Sequence, residues 1–177
     1  MRNKQILSAI AAVGNNYEIG VGDTLPWRIS SELRYFKEVT DGKVLIVGRK
    51  TYETLPPKLS NRTLIVVTSD KEYHKKLPSD VYAVSDMEDA VSLATALTRD
   101  EIVVIGGATI YAQVAAKIKK LYLTVVNVRT EKATAFFPID DYLDFLGKSK
   151  VVSTENVPKN TERNEPSYIK IVYEKRT

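Results

Sequence analysis

The runs "KVLIVG" (43–48), "TLIVVTS" (63–69) and "EIVVIGG" (101–107) limit this chain more than any other feature. Successive strand side chains point to opposite faces, so "LIVV" or "IVVI" needs apolar cover on both sides. "ILSAIAAV", "VYAV", "LYLTVVNV", "KVVSTENV" and "YIKIVYEK" read as further strands. Helical periodicity predicts helices over 30–40, 49–55, 86–97 and 108–118. The third would open on a capping box, Ser85 to Glu88, with Met87, Ala90, Val91, Ala94 and Leu97 along one stripe. Strand alternating with helix implies a parallel sheet. The last two strands are joined only by the polar "PKNTERNEPS", which predicts an antiparallel hairpin at the sheet edge. The expectation is an α/β fold: a single domain over 1–177, with a mainly parallel eight-stranded sheet, an antiparallel C-terminal edge hairpin and about four flanking helices.

Composition narrows the function. The chain has no cysteine, which removes thiolate metal sites and disulfides and favours a reducing, cytoplasmic setting. Its one histidine, His74, lies in the polar "KEYHKKLPSD" and reads as solvated, so no metal is expected. Arg2 and Lys4 before "ILSAIAAV" superficially suggest a short signal peptide, but the run reads better as the first buried strand. No stretch approaches the roughly 20 apolar residues of a membrane span. A net charge of +4 is mild, and "KIKKLYLT" is too short a basic segment for nucleic-acid binding. An anionic small ligand and a monomer are the expectation.

"TLPWRISSELRYFKEVT" holds the only tryptophan, Trp27, and then Glu32. Ser30 stands where an N-cap would. At roughly 100° per residue, Val39, Phe36, Thr40 and Leu33 share the arc of Glu32, with Arg34, Lys37 and Glu38 opposite. An acid in the middle of an apolar face is costly unless it has a task, although a first-turn acid can also serve the helix dipole. Three strand-to-helix junctions could hold an anion at the carboxyl end of a parallel sheet. They are Gly48 with Arg49, Lys50 and Thr51; Thr68 with Ser69; and Gly106 with Gly107. A Gly-Gly pair alone is more often a tight turn, and no GxGxxG fingerprint is present.

Taken in order, "IAAVGNNYEIG", "LPW" followed by Glu32, "FKEVT", "VGRKTYETL", "LSNRTLIVV", "VIGGATIY", "LYLT" and "FFP" resemble dihydrofolate reductase from about residue 6 to 175. The resemblance implies NADPH-dependent reduction of 7,8-dihydrofolate to tetrahydrofolate and binding of antifolates. It makes Glu32 the site acid, with a raised pKa, on the pterin 2-amino and N3 edge. Trp27 would close that end and help hold a water, and Thr124 would hydrogen-bond the acid and the pterin. Ile10, Ala12, Leu33, Phe36, Ile105 and Tyr111 would line the pterin pocket, and Leu55 and Leu59 would pack on the benzoyl ring. Arg62 would pair with the folate α-carboxylate. Ala12, Ile19 and Gly20 would contact nicotinamide, and Thr51, Gly106 and Gly107 the pyrophosphate. Arg49 and Ser69 would meet the 2′-phosphate, with Gly48, Lys50, Thr68, Ile105, Thr109, Ile110 and Tyr111 completing the cofactor site. The family also implies a cis peptide between the paired glycines.

There are departures. Ala133 and Thr134 stand where bacterial members often carry an acid that bonds the mobile loop near residues 20–25. "LSNR" replaces Pro-Gly-Arg, so Asn61 would have to take the left-handed turn conformation. Thr109 stands in place of a second arginine, which predicts a weaker preference for NADPH over NADH. Two alternatives remain: the related pyrimidine reductase of riboflavin synthesis, and a non-catalytic binding or structural protein on the same fold. The Trp–acid pair and Arg62 speak against the first.

Overall fold

The runs expected to be buried on both faces are the central strands. A computed structural model describes residues 5–56 and 59–177, so Arg2 and Lys4 lie outside the described residues. The main sheet has eight strands, all at expected places: β1 (Leu7–Val13), β3 (Val44–Gly48), β4 (Thr63–Val67), β5 (Val81–Val84), β6 (Ile102–Val104), β7 (Lys120–Val126), β9 (Ser149–Val157) and β10 (Tyr168–Lys175). Their order is β5-β4-β3-β6-β1-β7-β10-β9. Pairing is parallel from β5 through β7 and antiparallel between β7 and β10 and between β10 and β9. A second sheet, β2 (Glu18–Gly20) against β8 (Ala135–Phe136), was not expected from the sequence.

Helices α1 (Ser30–Thr40), α2 (Arg49–Thr54), α3 (Met87–Leu97) and α4 (Ala108–Val114) follow the predicted periodicities, although α4 stops earlier than expected. A fifth, α5 (Ile139–Gly147), was not foreseen. Alternate residues of β1 show why both faces had to be apolar. Ala9, Ala11 and Val13 pack with Met87, Ala94, Tyr111 and Phe145 of α3, α4 and α5. Ile10 packs with Phe36 and Val39 of α1 on the other face. Each of the larger side chains so buried contributes about 1.5–3 kcal/mol, and each alanine methyl less than about 1 kcal/mol. No helix among the described residues is long and apolar enough to cross a membrane.

At the amino ends of the strands, Glu101 accepts from Ser8 Oγ (2.5 Å), Lys43 Nζ (2.6 Å) and the Tyr122 hydroxyl (2.9 Å). Burial raises its pKa, but these partners outweigh burial and hold it below the ordinary carboxylate value. At the far edge, β9 is exposed along most of its length, with Val151 and Val152 bare and a register break opposite Val172/Tyr173.

Two predicted caps move. Asp86, not Ser85, caps α3, accepting from Asp89 N at 2.8 Å, because the helix starts one residue later than the capping-box reading. Ser30 is the first residue of α1, not its cap. Its N–H and hydroxyl both donate to Glu165 Oε1, at 3.1 and 2.9 Å. Glu165 comes from the loop between β9 and β10 and places a negative charge at the positive end of α1. The Ser30 N–H bond holds the Glu165 pKa below the ordinary 4.5. A lowered folded-state pKa contributes stability above the ordinary value and loses it as pH falls through the folded one. Glu165→Ala should therefore melt a few degrees below wild type near neutral pH, with the gap narrowing as the pH is taken well below 4.5. Thermal melts at the two pH values check this; a gap independent of pH would refute the charged cap.

Candidate active site

The cleft begins where two neighbouring strands part. β1 and β6 pair from Leu7/Ile102 to Ala9/Val104 and no further. The next carbonyls, of Ile10 and Ile105, both face the Tyr111 hydroxyl, at 2.7 and 3.0 Å. Tyr111 is on α4, so a helix holds open the carboxyl end of the sheet between β1 and β6. Burial pushes its hydroxyl pKa up, helped by Tyr142 and by the nearby charge of Glu32. It stays a neutral donor.

β6 meanwhile stays attached to β3 through Ile105 N to Ile46 O (2.9 Å) and Gly48 N to Gly106 O (2.8 Å). The Gly106–Gly107 peptide is cis and Gly106 has φ +108°, as only glycine readily allows. A Cβ on Gly106 would lie 2.9 Å from the Tyr111 ring, and one on Gly107 would lie 2.9 Å from Thr51 Oγ1. A Cβ on Gly48 would meet Ile110 at 3.0 Å. These glycines let the starts of α2 and α4 close up on each other, leaving backbone and the Thr51 hydroxyl at the rim.

Glu32 is on the first turn of α1 and only 6% exposed. Burial raises its pKa to about 7, with no opposing partner among the described residues. Phe36 and Val39 of the predicted apolar arc pack on the core, Thr40 is buried, and Leu33 at the arc's margin stays 38% exposed. Trp27 packs with Ile29, Val126, Tyr168 and Ala12. Its Nε1–H is buried with no acceptor among the described residues. A buried donor of this kind costs about 1–3 kcal/mol unless a water or ligand satisfies it. Thr124 is buried on β7 in register with Ala12. No hydrogen bond among the described residues joins Thr124 to Glu32; the expected pairing of the two is not made within the protein.

Arg62, just before β4, is fixed by three bonds. Nε donates to Thr40 Oγ1 (3.2 Å), one terminal nitrogen to Ser60 O (2.5 Å) and the other to Lys37 O (2.5 Å). Guanidinium carries five N–H groups, so one on each terminal nitrogen is left over by these three bonds, and Asp41 Oδ1 lies 3.7 Å from one of those nitrogens. Asn61 has φ +61°, the left-handed conformation its replacement of glycine required. Leu55 and Leu59, like Phe36, pack on the cluster that holds Ile10 and Ile105. Beyond Gly48, the Arg49 guanidinium sits 5.9 Å over the Tyr73 ring, and the Tyr73 hydroxyl donates to Glu53 Oε1 (3.0 Å).

The family profile of dihydrofolate reductase matches residues 6–175. The chain belongs to the dihydrofolate reductase family. The dihydrofolate reductase of Bacillus subtilis is 34% identical over 173 residues, covering 97% of this chain and 95% of that one. That of Staphylococcus haemolyticus is 32% identical, covering 96% and 95%. Among solved structures, a dihydrofolate reductase from Enterococcus faecalis complexed with NADP(H) and RAB-propyl superposes with a TM-score of 0.83 at 27% identity, covering 97% of each chain.

Most residues that the dihydrofolate reductase resemblance singled out gather at this one sheet end. Ile10, Ala12, Glu32, Phe36, Ile105 and Tyr111 surround the parting of β1 and β6; Gly48, Thr51, Gly106, Gly107 and Ile110 form the glycine junction. Thr68 Oγ1 is engaged by Asp70 N at 3.2 Å, while Ser69, Lys50 and Thr109 are exposed at neighbouring strand and helix ends. His74 lies exposed in a 3₁₀ turn, Tyr73–Lys76. The departure at Thr134 is answered by its hydroxyl, which accepts from Gly22 N at 2.8 Å, while its N–H donates to Gly20 O at 2.8 Å. Ile19 and Gly20 are thus held on β2. Tyr73 and Glu165 were missed by sequence reasoning. An aromatic one turn from lysines, or an acid in a polar loop, gives no sign of a distant partner.

A raised carboxyl pKa has a sign. Between pH 4.5 and about 7 the unfolded chain releases the Glu32 proton while the folded one keeps it, so stability falls as pH rises. The loss is on the order of 3 kcal/mol and complete above about pH 7. Glu32→Gln should raise the melting temperature of the ligand-free protein by several degrees at about pH 8 and hardly at all near pH 4. Equal shifts at both pH values would show that Glu32 does not titrate near neutrality.

Proposed function

We propose that the chain reduces 7,8-dihydrofolate to 5,6,7,8-tetrahydrofolate with NADPH, hydride going to pterin C6 and a proton to N5. The observation that carries this is a single carboxyl, Glu32, buried without a partner at the parting of β1 and β6 with its pKa near 7. A pterin presents a 2-amino group and ring N3 edge that such a carboxyl can hold by two hydrogen bonds. The orphaned Trp27 Nε1–H can hold a water beside it, giving a route for the proton to N5. Thr124, finding no partner in Glu32, is free to bond the ring.

Ile10, Leu33, Phe36, Leu55 and Leu59 supply the apolar walls that keep water from the ring and position the benzoyl group. The two spare N–H groups of Arg62 suit the α-carboxylate. For the cofactor, the Gly48–Gly106–Gly107 junction with Thr51 suits a pyrophosphate, Arg49 and Ser69 a 2′-phosphate, and Ala12, Ile19 and Gly20 a nicotinamide ring. NADPH, when bound, supplies the hydride; the protein supplies alignment, dryness and the proton path. The same reading takes the protein as a single-domain, monomeric, cytoplasmic enzyme.

Mixing purified protein with dihydrofolate and NADPH tests the reading: reduced-nicotinamide absorbance should fall. If it does not, and methotrexate does not raise the melting temperature, a non-catalytic binding protein is left. Glu32→Gln should depress turnover most near and above neutral pH while NADPH affinity changes little; superimposable pH–rate profiles would remove Glu32 from the chemistry. Arg62→Leu should weaken dihydrofolate by about 1.5–3 kcal/mol, roughly tenfold to a hundredfold. Dihydrobiopterin, which lacks the glutamate, should bind both proteins alike; an equal loss for the two substrates would place Arg62 away from the carboxylate.

A further inference from the structure

Glu18 is among the largest fully buried side chains, at 1% exposure, yet it is an acid and takes no part in the chemistry above. It lies on β2, next to Ile19 and Gly20. Its Oε2 accepts from Asn16 N at 2.7 Å, within the turn joining β1 to β2. Its Oε1 accepts from Thr130 N at 3.1 Å, in the connection between β7 and β8. Gly14 leaves it room: a Cβ there would lie 2.4 Å from Glu18 Oε2 and 2.9 Å from Val128 O. Burial raises the carboxyl pKa, and the N–H groups of Glu18 itself, Thr130 and Asn16, with the charge of Arg129, more than offset it. The group is thus a charged acceptor shared by two segments 112 residues apart.

The other ties between these segments are neutral; they include Asn15 N to Val128 O, Phe137 N to Tyr17 O, Thr134 N to Gly20 O and Gly22 N to Thr134 Oγ1, each at 2.8 Å, and the exposed Asn15 Nδ2 to Asn127 Oδ1 at 3.1 Å. The sheet they form, β2 with β8, has strands of only three and two residues. So short a pairing is marginal by itself. Charge-assisted bonds from a buried carboxylate are roughly twice as strong as neutral ones.

We infer that Glu18 is a positioning residue, whose carboxylate clamps β2 to the β7–β8 connection and so fixes Ile19 and Gly20 at the nicotinamide side of the cleft. This rests on the dihydrofolate reductase reading of the site. Because the clamp joins two peripheral segments, its loss loosens a local unit and leaves the main sheet folded.

The test compares wild type, Glu18→Gln and Gly14→Ala, the second disturbing the clamp while keeping the acid. Single-turnover hydride transfer should slow about tenfold to a hundredfold in both variants. With NADPH deuterated at the transferred position, the isotope effect on kcat should rise, since hydride transfer becomes limiting. Binary dihydrofolate affinity should stay within about twofold, as Glu32 and Arg62 lie elsewhere. Amide exchange in the free proteins, which needs no catalysis, should show protection of Ile19–Gly22 and Thr130–Thr134 in wild type and its loss in both variants. Unchanged exchange, or wild-type hydride transfer per methotrexate-titrated site despite a lower melting temperature, overturns the inference. Wild type that binds no NADPH and turns nothing over defeats the functional reading instead, and exchange still decides whether the clamp exists.

Discussion

One tyrosine hydroxyl stands where a β-ladder should continue. Having a single hydrogen, the Tyr111 O–H divides it between the carbonyls of Ile10 and Ile105, acceptors left over where β1 and β6 diverge. Without that donor, separating two central strands would leave buried carbonyls unpaired, at a cost near that of a lost hydrogen bond each. The gap it maintains is the cleft. The same ring dictates glycine at 106, and Tyr111 is itself braced, packing at 5.2 Å on Phe137 while its carbonyl accepts from the Tyr142 hydroxyl of α5 at 2.9 Å. The helix missed in the sequence thus supports the pocket from behind.

Four glutamates show how one side chain takes different properties from its surroundings. Glu101 is surrounded by a lysine and two hydroxyls and stays ionised. Glu165 does so with the N–H and hydroxyl of Ser30, and Glu18 with backbone N–H groups. Glu32 alone is buried with no such company, and its pKa alone among them is raised. An acid is made available near neutral pH by withholding partners from it.

The architecture was legible because its signals are local and repeated. Strands covered on both faces leave no polar alternation and stood out as apolar runs, while the edge strands β9 and β10 showed as β-branched segments either side of a polar connection. Glu32 was legible because helical geometry places it among Phe36, Val39 and Thr40. Elements with weaker signals were lost. β8 is two residues long, and α5 carries its cue in a single Pro138–Asp140–Asp141 start and the Tyr142/Phe145 spacing. Caps depend on where a helix begins, which periodicity leaves uncertain by a residue or two, hence Asp86 for Ser85. Least legible were partners brought from afar. Nothing near Ser30 announces Glu165, 135 residues away, and nothing near Glu18 announces Thr130.

The open edge of the sheet also has a consequence. β9 presents bare valines and free backbone groups along a full-length rim, a template on which a foreign extended segment could add itself. The break in register opposite Val172/Tyr173 interrupts the regular spacing such an intruder would have to match. At this one of the sheet's two edges the irregular spacing, beside the exposed charges of Lys150 and Glu155, works against strand addition.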